Sequence, residues 1–277
     1  MNQATLRRLL PQIQQLARQA GSAILDVYRN EFTVDAKADQ SPVTPADRRA
    51  NRVLRDGLAR LEPGLPVVSE ETAPPGFRER RDWQRYWLVD PLDGTRQFIA
   101  RSDQFAVNIA LVERHRPVLG IVHAPALGQT WFGGPGLGAF RQADGGEPEA
   151  IRAAPRAQDP LRIVLGNSRP GPRTRATLER LPEHETRIWG ASIKFCLIAE
   201  GNADLFPRYG PISEWDMAAA QAILEAAGGH LTDMRELRPI RYNTAESLTT
   251  SDILAFADQR VDWRRYLAGD VQPSGAS

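Results

Sequence analysis

One cysteine, two lysines and no long apolar run are the first features of this sequence of 277 residues. A lone Cys196 excludes an internal disulfide and any multi-cysteine zinc site. Its setting, Phe195-Cys196-Leu197-Ile198-Ala199, reads as an inert buried thiol. No stretch approaches the roughly 18 uninterrupted apolar residues of a membrane span, and the N-terminus lacks a basic-then-apolar signal. These absences lead us to expect a soluble protein of a reducing, cytoplasmic compartment with no integral membrane segment. Net charge is also missing: 35 basic residues face 34 acidic ones, so no global field draws the chain to nucleic acid or a membrane. An anionic substrate must be captured locally. The four histidines are scattered, and no zinc-protease, phosphate-loop or serine-hydrolase signature is present.

Apolar residues at 6, 9, 10, 13, 16, 17, 20, 24 and 27 repeat with helical period and predict a long amphipathic first helix. A second helix follows Thr44-Pro45, with threonine as cap and proline at the first helical position, and Pro63-Gly64 stops it. Short β-type runs at 66–69, 86–89, 105–112, 117–123, 129–132 and 137–141 predict a largely antiparallel sheet. The aperiodic segment 142–160 is the expected boundary between subdomains 1–150 and 151–270. Beyond it, strand and helix patterns alternate, with a strong helix over 214–227, as in a smaller α/β unit. Residues 270–277 read as a disordered tail.

Several acids stand where a core residue belongs. Asp90 ends the apolar run Tyr86-Trp87-Leu88-Val89, and Asp93 follows three residues on. Pro91, Asp93 and Gly94 would suit a simple turn. Two carboxylates facing one point, with the Leu92 carbonyl between them, instead suit a hard cation. Gly94 and Thr95 would then offer backbone N–H groups to a phosphate at a helix start. Glu70 and Glu71 end another short strand, a weaker signal. Asp47 and Asp216 can each be read as caps, yet Asp47 heads an Ala and Leu stripe and Asp216 heads the stripe Ala220, Ile223, Ala227. On the same periodicity Glu214, with Gln221 and Glu225, should face water. Inward acids from distant segments are stable together only around cations.

These residues carry a resemblance. Ser69-Glu-Glu71, Trp87-Leu-Val-Asp-Pro-Leu-Asp-Gly-Thr95, and Glu214-Trp-Asp-Met-Ala-Ala219 with Ala226-Ala-Gly-Gly229 resemble the inositol monophosphatase superfamily of metal-dependent phosphatases. Lys37 to Asp47, Arg96-Gln-Phe-Ile99, Ser192 to Gly201 and Phe206 to Gly210 look most like its bacterial 3'(2'),5'-bisphosphate nucleotidases of the CysQ type. The resemblance implies a layered αβαβα sandwich of two tightly packed subdomains. It implies removal of the 3'-phosphate from adenosine 3',5'-bisphosphate, a by-product of sulfate assimilation, to leave AMP, with the 5'-phosphosulfate analogue as a further substrate. It also implies that Glu70, Asp90 and the Leu92 carbonyl hold one magnesium and that Asp90, Asp93 and Asp216 hold another, with room for a third, weaker ion near Glu70. Asp47 and Thr95 would orient the attacking water. Lys194 and Arg208 would lie by the nucleotide and its second phosphate. The resemblance leaves open peripheral contact with the cytoplasmic face of the inner membrane, and oligomeric state is not legible. Two positions that touch the nucleotide in relatives depart from the subfamily: Ala191 stands where serine is common, and Pro170-Gly171 where histidine follows Ser-Arg.

Two alternatives stand beside this reading. One is the same chemistry on an inositol or sugar monophosphate. The other is a dinucleotide-binding oxidoreductase, since Gly134-Pro-Gly136-Leu-Gly-Ala139 formally matches a nucleotide fingerprint. No helical pattern follows it, so a hairpin turn is the expectation. A non-catalytic binding module is disfavoured because Asp47, Glu70 and Thr95 are all present.

Overall fold

A computed structural model describes residues 2–37, 39–166 and 168–268. The disorder expected over 270–277 lies outside the described residues.

The amphipathic segments form α1 (Gln3–Tyr28) and α2 (Pro45–Leu61), joined by the small hairpin β1 (Asp35–Ala36) and β2 (Pro42–Val43). Next come β3 (Val67–Ser69), the single-turn α3 (Phe77–Arg80), β4 (Arg85–Asp93) and the short α4 (Thr95–Ile99). Strands β5 (Ala106–Glu113), β6 (Arg116–Ala124), β7 (Gln129–Gly134), β8 (Gly138–Ala143) and β9 (Glu149–Ala150) complete a sheet ordered 3-4-5-6-7-8-9. Only β3 runs parallel to its neighbour; the other pairs are antiparallel, as expected. Gly134 and Gly138 bracket the turn between β7 and β8, which removes the dinucleotide reading because a strand, not a helix, follows.

The second sheet, ordered 11-10-12-14-13, contains β10 (Leu161–Leu165), β11 (His184–Ile188), β12 (Leu205–Ser213), β13 (His230–Asp233) and β14 (Thr249–Phe256). Helices α5 (Pro172–Arg180), α6 (Ile193–Ala199) and α7 (Ala218–Ala226) accompany it. The two sheets fall on either side of residue 150, and we propose that they mark the two expected subdomains.

Alternation along the strands explains the layering. In β4, Trp87 and Val89 join the core with Leu9, Ile13 and Leu54 of α1 and α2. Tyr86 and Leu88 face the opposite way, into a core shared with Ala219 and Ile223 of α7, Phe195 of α6 and Ile253 of β14. The far face of the second sheet packs Ile163, Leu165 and Leu254 against Leu181 and Trp263. The result is helix, sheet, helix, sheet, helix. Gly120 lets α7 approach closely, since a Cβ there would stand 2.0 Å from the Ala219 carbonyl oxygen.

The expected helix over 214–227 is divided. Glu214–Asp216 is a single 3-10 turn, Met217 leaves helical geometry with φ −121 and ψ −37, and α7 begins at Ala218.

Candidate active site and metal centre

Each proposed ligand sits where an element ends. Glu70 follows β3, Asp90 and Asp93 occupy the end of β4, and Asp216 lies in the 3-10 turn before α7. The β4–β5 register shifts between Asp90 and Asp93, and this irregularity re-aims the strand end. Gly94 then takes φ 92, a left-handed conformation suited to glycine, and α4 starts.

Carboxylate oxygens of Glu70, Asp90 and Asp216 all lie within 4.8 Å of one another. Burial, and then the charges of Glu70, Asp93 and Asp216, push the Asp90 carboxyl well above its usual range. Burial, Asp93 and Glu70 do the same to Asp216. Such a cluster is electrostatically unfavourable alone and suits a bound cation, and its all-oxygen donor set matches a hard divalent ion. Asp90 is also fixed from within, accepting the Leu92 N–H at 3.0 Å.

The pair expected to orient water is present. The Thr95 hydroxyl lies 3.2 Å from both Asp47 Oδ1 and the Leu92 carbonyl oxygen. Asp47 is buried, and burial raises its pKa against the opposing bonds from Thr44. It also completes a capping box with Thr44, so the capping and inward-facing readings are both realised in one side chain.

A cavity of about 380 Å3 joins these groups; Glu70, Asp90, Asp93, Thr95, Lys194, Arg208 and Asp216 are among its lining residues. Lys194 lies over the Phe206 ring at 5.4 Å and donates to the Ala191 carbonyl. Burial pulls its pKa down to about 8, with Asp93 pulling up and Arg208 down. Ala191 holds a left-handed φ of 53 in the cavity wall. The other rare lysine, Lys37, places Nζ 2.7 Å from Glu70 Oε1 and 2.5 Å from Glu71 Oε1. Burial alone would lower its pKa, but those two bonds hold it above its ordinary value.

A model of the inositol monophosphatase family matches residues 5–262. The chain belongs to that family. It is 44% identical over 243 residues to the 3'(2'),5'-bisphosphate nucleotidase CysQ of Escherichia coli strain K12, covering 86% of this chain and 96% of that protein. It is 36% identical over 257 residues to the Haemophilus influenzae protein of the same name, covering 92% and 95%. Among solved structures, CysQ from Bacteroides thetaiotaomicron, described as a bacterial member of the inositol monophosphatase family, superposes with a TM-score of 0.78 at 36% identity. That match covers 88% of this chain and 95% of the other. Family membership makes this chain a phosphatase, and the fold expected from the resemblance is the fold observed.

One expectation is corrected. Glu214 does not face water: it is 4% exposed and both of its carboxylate oxygens accept the Asn243 N–H, at 2.9 and 3.0 Å. Asn243 in turn exchanges hydrogen bonds with buried Arg80. Burial raises Glu214 to about 7 against the Asn243 bond and Arg80. Gln221 is buried too, accepting from the Tyr242 hydroxyl at 2.5 Å. The supposed polar stripe is therefore roofed by the loop carrying Tyr242 and Asn243.

Other polar residues around the site were missed by sequence reasoning. Asn108 interrupts the apolar run Phe105-Ala-Val-Asn-Ile-Ala-Leu-Val112, and that interruption was the available signal. Ser192 carried none beyond its place before Lys194.

Proposed function

We propose that this chain is a magnesium-dependent 3'(2'),5'-bisphosphate nucleotidase. In this reading it hydrolyses the 3'-phosphate of adenosine 3',5'-bisphosphate to AMP and phosphate, accepts the 5'-phosphosulfate analogue, and works in the cytoplasm. The observation that carries the reading is the union, in one cavity, of a carboxylate cluster with the cationic side chains Arg96, Lys194 and Arg208: acids that would hold a metal, beside Lys194 and Arg208, suit a substrate with two anionic groups. The curated activity of the similar CysQ proteins agrees with it. Among the described residues no helix is long and apolar enough to cross a membrane.

Glu70, Asp90 and the Leu92 carbonyl would hold one magnesium; Asp90, Asp93 and Asp216 would hold another, and Glu70 has room for a weaker third. When bound, the metal supplies Lewis acidity, a more acidic water and neutralisation of phosphoryl charge. The protein does the rest. The backbone N–H groups of Gly94, just before α4, and of Thr95, its first residue, have no partner within the helix and can bind the phosphoryl oxygens. Thr95 donates to Asp47, which turns a hydroxyl lone pair toward the attacking water and helps remove its proton. Water adds to phosphorus as the bond to the 3'-oxygen breaks, and that oxygen leaves with a proton from solvent. Lys194 and Arg208 hold the second phosphate and so fix the line of attack. The adjoining cavity of about 350 Å3, walled by Pro170, Pro172, Phe206 and Tyr209, has room for the nucleoside.

A phosphate-release panel tests the reading. Adenosine 3',5'-bisphosphate should exceed inositol 1-phosphate in kcat/KM by at least about tenfold. Reversal of that order would favour the monophosphatase reading, to which Ala191 points by removing a polar group from the cavity wall.

A further inference from the structure

Asparagine in the middle of a buried strand is unfavourable unless every polar atom is paired. Asn108 of β5 is 1% exposed and stands opposite Asp90 in the β4–β5 register. Its flanking alternates Ala106 and Ala110 are ordinary core residues, so packing alone asks for an apolar side chain there.

Its partners are residues of the site or their direct neighbours. Nδ2 donates to Asp93 Oδ2 at 3.1 Å and to the Trp215 carbonyl at 3.4 Å. Oδ1 accepts the Ser192 hydroxyl at 2.7 Å. The amide orientation follows from the chemistry, because reversing it would set an acceptor against two acceptors. The Ser192 N–H also donates to Asp93 Oδ2, at 2.6 Å. One carboxylate oxygen is thus held twice, while Oδ1 accepts nothing from the described residues.

These contacts span the molecule. Asp93 is on the first sheet. Trp215 directly precedes Asp216, and Ser192 stands two residues before Lys194 on the second subdomain. We infer that Asn108 is a positioning residue that locks the two halves of the site in register. Through Asp93 and Trp215 it sets the ligands contributed by both subdomains, and through Ser192 it sets the start of the helix bearing Lys194. Partners of metal ligands commonly change metal affinity or activity by roughly 10–100-fold when altered.

The inference rests on the magnesium reading above, so the experiment includes wild-type protein as its control. Magnesium binding is measured by calorimetry on the metal-free full chain, together with melting temperature with and without magnesium and the magnesium concentration giving half-maximal phosphate release. Asn108→Asp keeps the shape and removes both donors; Asn108→Ala removes the amide without adding charge. Both should raise the magnesium Kd and the half-saturating concentration about 10–100-fold. Both should also shrink the melting-temperature gain on adding magnesium. Ser192→Ala, which keeps the N–H bond to Asp93, should shift them by only about threefold, and it carries the test if either Asn108 variant fails to fold. Variants that melt lower yet bind magnesium with the wild-type Kd would overturn the inference, because Asn108 would then serve the core alone. Failure of wild-type protein to bind magnesium would overturn the metal reading itself, and this inference with it.

Discussion

The cavity around Asp90 and the cavity beside it, around Tyr209, are nearly equal in volume, at about 380 and 350 Å3, and meet at Gly166 and Arg208. Their walls differ. The first gathers four carboxylates from element ends on both sheets. The second has no acid among the described residues of its lining, where Pro170, Pro172, Phe206, Pro207 and Tyr209 stand with Arg173 and Arg208. Repelling charges need a cation and rigid supports, whereas a wall of rings and prolines with two arginines needs no metal. In the function proposed above, the first region would carry the chemistry and hold the second phosphate, and the second would bear on which nucleoside is accepted.

The largest test of that division is Asp90→Asn. Turnover should fall by about 10²-fold or more at saturating magnesium, as for loss of a main charge stabiliser. Wild-type phosphate release from the purified variant would refute the metal assignment. Lys194→Ala, within the first cavity but not among the carboxylates, should act on recognition rather than on the chemistry. It should raise KM for the bisphosphate about 10–100-fold, as expected for a lost charge-assisted bond. Hydrolysis of a simple phosphomonoester lacking the second phosphate should change less than about threefold; equal losses on both substrates would erase the distinction.

A smaller effect follows from burial of the lysine. Its pKa is held down at about 8, so the ammonium is present below that pH and is lost as pH rises through it. KM for the bisphosphate should therefore climb by about tenfold from pH 7 to pH 9. Lys194→Arg, charged throughout this range, should flatten the rise; an identical profile in that variant would place the titration elsewhere. The smallest effect concerns stability. Without divalent ion, Asp90 is a buried acid among acids, so Asp90→Asn should raise the melting temperature by a few degrees, roughly 1–2 kcal/mol. Adding magnesium should reverse the order of the two proteins. A variant that melts lower without metal would mean that the cluster is not strained.

Much of the first cavity was legible because its residues are adjacent or carry a local signature. Asp90, Leu92, Asp93, Gly94 and Thr95 fall within six positions, and Asp47 announced itself by heading an apolar stripe. Glu214 was misread for a definite reason. Helical periodicity assumes one continuous α-helix, but Met217 breaks the register between the 3-10 turn and α7, and a loop from residues 239–248 covers the resulting face. The pairing of Lys37 with Glu70 and Glu71 was equally invisible, since it depends on how a hairpin folds over a strand end 33 residues away.

By itself, the sequence determined the acids, the two helices, the first sheet and the kind of chemistry. Period, turn residues and charge in an apolar run are local properties of the chain. Only the tertiary structure decided that Asp216 meets Asp90, that Asn108 bridges Asp93, Ser192 and Trp215, and that Glu214 is roofed. Those contacts join segments from 15 to 107 or more residues apart, and the free energy that selects them comes from packing two sheets around shared helices rather than from any stretch of sequence.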